Sequence, residues 1–290
     1  MSADLYKIYI SNLLNQIENS GIGAKICNFN CAAPTCADDV AILCDSPQDL
    51  QIIINMAYNY SCTERYKLQP TKSVILPIYP DRKTKREESF VWTIGDSRMP
   101  VVGKATHVGI LRTSIPNDPD SIYENIQKAK RAIYSLLPAG FHGKNGLDIQ
   151  SLIQILNIYV MPVLLYGLEL LTPTGKNLEI MEIFHKKCLK KLLSLPMNVA
   201  TPAIYLLTGH LPIEGQIDKK VLIFIGNITR QSQDNLERQI VYRQSSVKSV
   251  DSNSWVVIFR PLLYRLTVNF CVAESTIIQS GLEETYRQLC

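Results

Sequence analysis

The hydrophobic period of this chain changes once, near residue 115, and few folds accommodate that change. Before it, short runs of small and β-branched residues are separated by turn residues, with two helical stretches among them. After it, apolar residues recur every three to four positions through most of the remaining sequence. Alternation of short strands with helices followed by an all-helical stretch predicts an α+β region joined to a helical one.

In the first part, a helix is expected over the first twenty residues, with Leu5, Ile8, Tyr9, Leu13 and Ile17 on one face and Gly21-Ile22-Gly23 ending it. From about Ala24 to Cys44 the residues suit hairpins, with turns at Asn28 to Asn30 and at Asp38-Asp39. Ser46-Pro47-Gln48-Asp49 is a helix start: a cap hydroxyl, proline at the first helical position and an acid three residues after the cap. Leu50, Ile53, Ile54, Ala57 and Tyr60 continue that helix. Val74 to Ile78 reads as a strand, Gly95-Asp96 as a hairpin turn, and Thr106 to Leu111 as an extended piece. In the second part, helices are expected behind Asp118-Pro119-Asp120, from Asp148 to Pro162, and from Asn177 to Leu193. The last presents Leu178, Met181, Phe184, Cys188 and Leu192 on one side, and Glu179, Glu182, Lys186, Lys187 and Lys190 on the other. His185, beside two lysines, reads as a surface residue. A polar stretch runs from Gln231 to Ser254, and an apolar one from Trp255 to Val272.

Residues 152–171 are nearly continuous apolar sequence, yet Gln154, Asn157, Pro162 and Glu169 interrupt them. A central proline and a carboxylate favour a buried, broken helix pair over a membrane span. The formal charge of +4 and a 46% hydrophobic content exclude a basic nucleic-acid-binding tail and a disordered chain. The opening residues have no basic stretch leading into an apolar run, so the eight cysteines are expected to be reduced thiols of an intracellular protein, in cytoplasm or nucleus. Cys27, Cys31 and Cys36 lack the paired spacing of a zinc site and read as small buried thiols. Arg82, Lys83, Lys85 and Arg86 are offset by Asp81, Glu87 and Glu88 and read as a solvated hairpin loop.

The chemical signal is Thr35-Cys36-Ala37-Asp38-Asp39-Val40-Ala41-Ile42-Leu43, two adjacent carboxylates at a tight turn between apolar runs. Two acids so placed repel each other, and a hard divalent cation reverses the sign of that interaction. Taken alone, the dipeptide is equally an ordinary hairpin turn, since aspartate tolerates turn geometry.

The wider context is more specific. Cys36-Ala37-Asp38-Asp39-Val40 resembles the aromatic-Ala-Asp-Asp motif of reverse transcriptases of non-LTR (LINE-type) retrotransposons. Further stretches fall in that family's order. Leu5 to Leu13 resembles the end of the helix under the templating base pair, and Leu68-Gln69-Pro70-Thr71-Lys72-Ser73 resembles the following lysine motif. Thr106-His107-Val108-Gly109-Ile110 is similar to the primer-grip turn, and residues 122–195, with Pro162 to Glu169, are similar to the thumb.

The resemblance implies a partial polymerase palm over residues 1–115, a small antiparallel sheet with packed helices, then an all-helical thumb over 116–215 and a linker or helical region of unassigned role over 216–290. It implies templated nucleotidyl transfer, an RNA-directed DNA polymerase reaction with RNA template, DNA primer and deoxynucleoside triphosphate as partners. Asp38 and Asp39 would be the metal ligands for Mg2+ or Mn2+, Lys72 the general acid, and His107 and Gly109 the primer-positioning residues. Lys186, Lys187 and Lys190 would face phosphate. Lys72 reads equally as a solvated loop lysine. Two departures stand out: Cys36 occupies the aromatic position, and with 37 residues before Asp38 the family's upstream metal-binding aspartate has no counterpart. The expectation is a fragment that does not polymerise DNA alone; its rival is a catalytically dead RNA-binding or protein-interaction module of the same origin.

Overall fold

The computed structural model describes residues 2–26, 28–79, 90–115, 119–145, 147–248, 252 and 255–256. The chain divides into two compact units, Met1–Asp118 and Pro119–Cys290. Cys27, the basic loop at 82–88 and the apolar stretch beyond Val256 lie outside the described residues.

The first unit is α+β. Helix α1 (Ser2–Ser20) is followed by two hairpins, β1 (Lys25–Ile26) with β2 (Phe29–Asn30) and β3 (Thr35–Cys36) with β4 (Asp39–Val40), and then by α2 (Pro47–Thr63). The cap behaves as the sequence requires: the Ser46 hydroxyl accepts from the Asp49 N–H, and Pro47 opens the helix. β5 (Thr93–Ile94) and β6 (Ser97–Arg98) pair across Gly95-Asp96, the expected turn, but the return arm is Ser97–Arg98 and not the Met99 to Val102 that the sequence suggests. β7 (Lys104–His107) and β8 (Ile110–Thr113) form a four-residue ladder, so the stretch at 106–111 is not extended but turns at Val108-Gly109. The strand expected at 74–78 is reduced to a single parallel bridge, Ile75 to Val101.

The buried face of α1 also differs from expectation. Ile10, Leu13 and Ile17 are buried, whereas Leu5 is 62% and Ile8 71% exposed. The seam follows the 10, 13, 17 spacing because those side chains meet Ala32, Ile53 and Tyr60, one cluster uniting helix, hairpin and α2. A second cluster, Ile54, Ile75, Trp92, Ile94 and Met99, takes in Ile42, Leu50 and Leu68. Ile42 belongs to both, which ties the β3–β4 hairpin to the segment around residues 68–75.

The second unit is helical. α3 (Asp120–Leu136) precedes α4 (Ile149–Ile155), whose cap Asp148 accepts from the Ser151 N–H as the sequence predicts. One π-turn (Leu156–Val160) leads into α5 (Met161–Leu164), then α6 (Leu168–Leu171) and α7 (Lys176–Leu192). Proline explains the π-turn. Pro162 has no N–H for the Ile158 carbonyl and its ring crowds that carbonyl, so the helix widens and the Met161 N–H reaches back to Leu156 instead. The run at 152–171 is thus broken into α4, the π-turn, α5 and α6, and only one side of it is buried: Leu152, Leu156, Val160, Leu164 and Leu168 are covered, whereas Ile158, Tyr159 and Tyr166 are exposed, against the expectation of a buried pair. No helix among the described residues is long and apolar enough to cross a membrane. α8 (Thr201–Thr208), α9 (Ile213–Thr229) and α10 (Leu236–Val247) complete the unit. Ile213, Ile217, Val221 and Ile225 share one core with Leu152, Leu164, Leu168 and Leu189, so the core runs unbroken across residue 215.

The break is held by Asn125, a buried residue of α3 whose Nδ2 donates to the carbonyls of Leu164 (3.3 Å) and Tyr166 (2.8 Å). Removing the donor takes a hydrogen bond from each of the two carbonyls. Asn125→Ala is expected to cost about 2 kcal/mol, read as a lowered midpoint in urea at unchanged slope; a change under about 0.5 kcal/mol would show that the carbonyls find other partners.

Candidate functional site

The β3–β4 register, Thr35 with Val40 and Cys36 with Asp39, leaves Ala37 and Asp38 as the turn. The two aspartates are therefore not equivalent: Asp38 is at the tip and Asp39 begins the return strand. Both are exposed. Ala37 has φ +54°, in the left-handed region, at a cost of about 1 kcal/mol for a residue with a Cβ. The hairpin at the second candidate motif shows the same trait. Val108 has φ +49° and Gly109 +72°, two positive values as a two-residue hairpin of the favoured hand requires, with a β-branched residue where glycine or asparagine is usual.

One phenol is close enough to Asp38 to sense its charge. Tyr6 from α1 has its phenol pKa raised, first by burial and then by the charge of Asp38, and its ring belongs to a cluster with Tyr9, Tyr60 and Tyr66. Tyr60 donates to the Tyr9 carbonyl and Tyr9 to that of Glu64, pinning α1 to the end of α2. Cys36, opposite Asp39, is exposed and Cys31 half-buried, which corrects the expectation of buried thiols: the hairpin tip extends beyond the apolar cluster.

Lys72 lies in a turn closed by its own N–H and that of Ser73 on the Gln69 carbonyl, and its side chain is exposed. Leu68 and Ile75 on either side are anchored in the cluster that includes Ile42. His107 ends β7, half-buried, with Nε2 shielded and without a hydrogen-bond partner. Asp38, Asp39, Lys72, His107 and Gly109 thus all belong to the first unit, on turns borne by two apolar clusters and the β7–β8 ladder.

Lys186, Lys187 and Lys190 lie on α7 in the second unit. Lys187 is exposed, and Lys190 donates to the Met197 carbonyl at 2.6 Å. Lys191 donates to the Tyr134 hydroxyl and lies 4.3 Å from that ring's centroid, lowering the phenol's pKa chiefly through this hydrogen bond. The stripe is therefore partly engaged with its own fold, which leaves Lys186 and Lys187 as its least committed members.

His185 is the clearest departure from the sequence reading. It is 0% exposed, not a surface residue. At a helical period it falls on the seam of Met181, Cys188, Leu189 and Leu192, and the flanking lysines point elsewhere. Its Nε2 lies 3.2 Å from His210 Nδ1. Nearby, Glu182 accepts from the Tyr205 hydroxyl and, at 2.8 Å, from the Ile213 N–H.

No family model matches the sequence, and no curated protein does. The site is accordingly judged on its own chemistry. Two carboxylates of neighbouring residues suit a hard cation in kind. In number they fall short: no group of three or more His, Cys, Asp or Glu side chains among the described residues converges to hold a metal. Magnesium binds through one or two carboxylates when substrate phosphates complete its shell, so these residues do not make a resident metal site on their own.

Proposed function

We propose that this chain carries the end of a reverse transcriptase palm and the helical thumb of a non-LTR retrotransposon polymerase. The observation that supports the reading is the succession of elements around the carboxylates: a helix, a tight hairpin tipped by Asp38-Asp39, a capped helix, a turn bearing Lys72, a second tight hairpin at Val108-Gly109, and then a helical unit. Strained non-glycine turns at both candidate motifs add to it, because such backbone is concentrated where a side chain must be held at a fixed place.

In this reading the chain contributes two carboxylates, a lysine ammonium able to give a proton to a leaving pyrophosphate oxygen, and a thumb helix whose Lys186 and Lys187 contact phosphate. The donor shortage favours a second reading in the same setting, a module that binds nucleic acid without chemistry.

Primer extension on an RNA template with magnesium or manganese is expected to yield no product from the 290-residue chain. Template-dependent product that disappears in Asp38→Ala would instead make it a polymerase in itself. Primer–template binding is expected at low salt, with the slope of log K against log salt falling by about 2 in magnitude when Lys186 and Lys187 are both changed to alanine. Failure to bind at low salt would overturn both readings.

A further inference from the structure

Within the helical unit, the connection between α8 and α9 is fastened to α7 by polar groups rather than by apolar contact alone. Tyr205 from α8 stacks on His185 at 6.0 Å between centroids and donates to Glu182. His210 from the connection meets His185, and the Ile213 N–H at the start of α9 donates to Glu182. The outer nitrogens, Nδ1 of His185 and Nε2 of His210, are both shielded and have no partner.

We propose that the His185–His210 pair is a proton-sensitive latch that holds residues 201–213 against α7 when both rings are neutral and releases them on acidification. Two neutral imidazoles share two N–H protons. One lies in the bond between the rings and the other on the outer nitrogen of the accepting ring, whichever way the bond runs. A third proton puts N–H on both outer nitrogens and a charge beside Met181, Leu189 and Ile204, all 0% exposed, with no acceptor for it.

The surrounding charges do not relieve this. Lys186, next along α7, adds like charge, while the Glu182 carboxylate is already taken by Tyr205 and Ile213. Cys188, the other titratable group on that seam, is a thiol that burial pushes up to about 12, and so carries no charge. α4, which packs on α8, has no titratable side chain, and Glu214 in the first turn of α9 is exposed. Burial first, then His210 and Lys186, hold the His185 imidazole down to about 3, and burial lowers His210 as well.

With that segment released from α7, both rings are solvated and titrate near the ordinary imidazole value. Opening is therefore favoured as pH falls below about 6.5, by up to tenfold per unit for each ring. The test is hydrogen exchange on the full chain, with opening constants corrected for intrinsic rates. For amides of residues 203–211 and 213 the constant is expected to rise about 30-fold between pH 7.5 and 5.0 on account of His185 alone. Amides near Val221–Ile225 should change far less, and His185→Phe should remove that 30-fold share of the local rise, leaving only what His210 contributes.

A uniform rise across the helical unit would overturn the latch, as would a His185→Phe chain that keeps the whole local rise. Imidazole NMR of the unaltered chain decides independently of any variant: His185 must stay neutral at pH 5, and a ring titrating near 6.5 in the folded protein ends the proposal.

Discussion

Gly23→Ala is expected to loosen both hairpins that follow α1, and with them the turn bearing Asp38, at a cost of about 3 kcal/mol or more. Two effects combine. Gly23 has φ +109°, where any L side chain is strained, and a Cβ built there lies 2.3 Å from the Ala32 Cβ and 3.2 Å from the Leu43 carbonyl oxygen. Neither neighbour can yield easily. The Leu43 carbonyl accepts from the Ala24 N–H at 2.7 Å, and the Leu43 N–H donates to the Ala32 carbonyl at 2.8 Å, so the three segments at residues 24, 32 and 43 are tied at that point. Gly21 provides the internal comparison: its φ is +65° but nothing lies within 4 Å of its Cβ position, so Gly21→Ala should cost only about 1 kcal/mol. Hydrogen exchange over residues 24–43 measures both. Equal losses at the two glycines would mean that backbone strain, not the close approach, governs this corner.

The second large effect belongs to the helical core. Leu189 on α7 is fully buried in the cluster shared by α3, α4, α6 and α9, and Leu189→Ala is expected to cost about 3 to 5 kcal/mol, the transfer of the lost methyl groups plus the cavity left behind. Leu206 on α8 is 85% exposed, and the same substitution there should stay within about 0.5 kcal/mol. Urea unfolding of the two variants separates the cases. A small loss at Leu189 would show that the helices packed around it collapse to fill the space.

Much of this architecture was legible because its signals are local. A serine before proline, an aspartate before an apolar run and a glycine-aspartate pair each act within four residues, and the caps of α2 and α4 and the β5–β6 turn formed as read. The run broken by Pro162 was legible for the same reason, since a missing N–H has its effect one turn away. What was misread depends on partners distant in sequence. The seam of α1 is chosen by Ala32, Ile53 and Tyr60, so Ile10 is covered while Leu5 and Ile8 are not. His185 carries its own clue, four residues after Met181 and three before Cys188, which the adjacent lysines obscured. His210, its partner, lies 25 residues away and has no pattern to announce it.

The candidate site divides in the same way. That Asp38 and Asp39 occupy a hairpin follows from the residues around them, but which of the two takes the tip depends on the Cys36–Asp39 pairing. The positive φ of Ala37 and Val108 was not visible in residue types that usually avoid it. Glu182, Tyr205 and Asn125 gave no motif because each acts through backbone or side-chain groups at least 23 residues away.

The hairpins of the first unit also bear on how it folds. Every named strand pairs with its neighbour in the chain, through a two-residue turn. Such closures are complete within about 10 μs. The Tyr60 hydroxyl, by contrast, must find the Tyr9 carbonyl 51 residues away before α1 and α2 can enclose the first cluster. Loop-closure entropy therefore falls on the docking of those two helices, and the step expected to limit the folding rate of this unit is the meeting of its tyrosines, with the ribbons forming and dissolving beforehand.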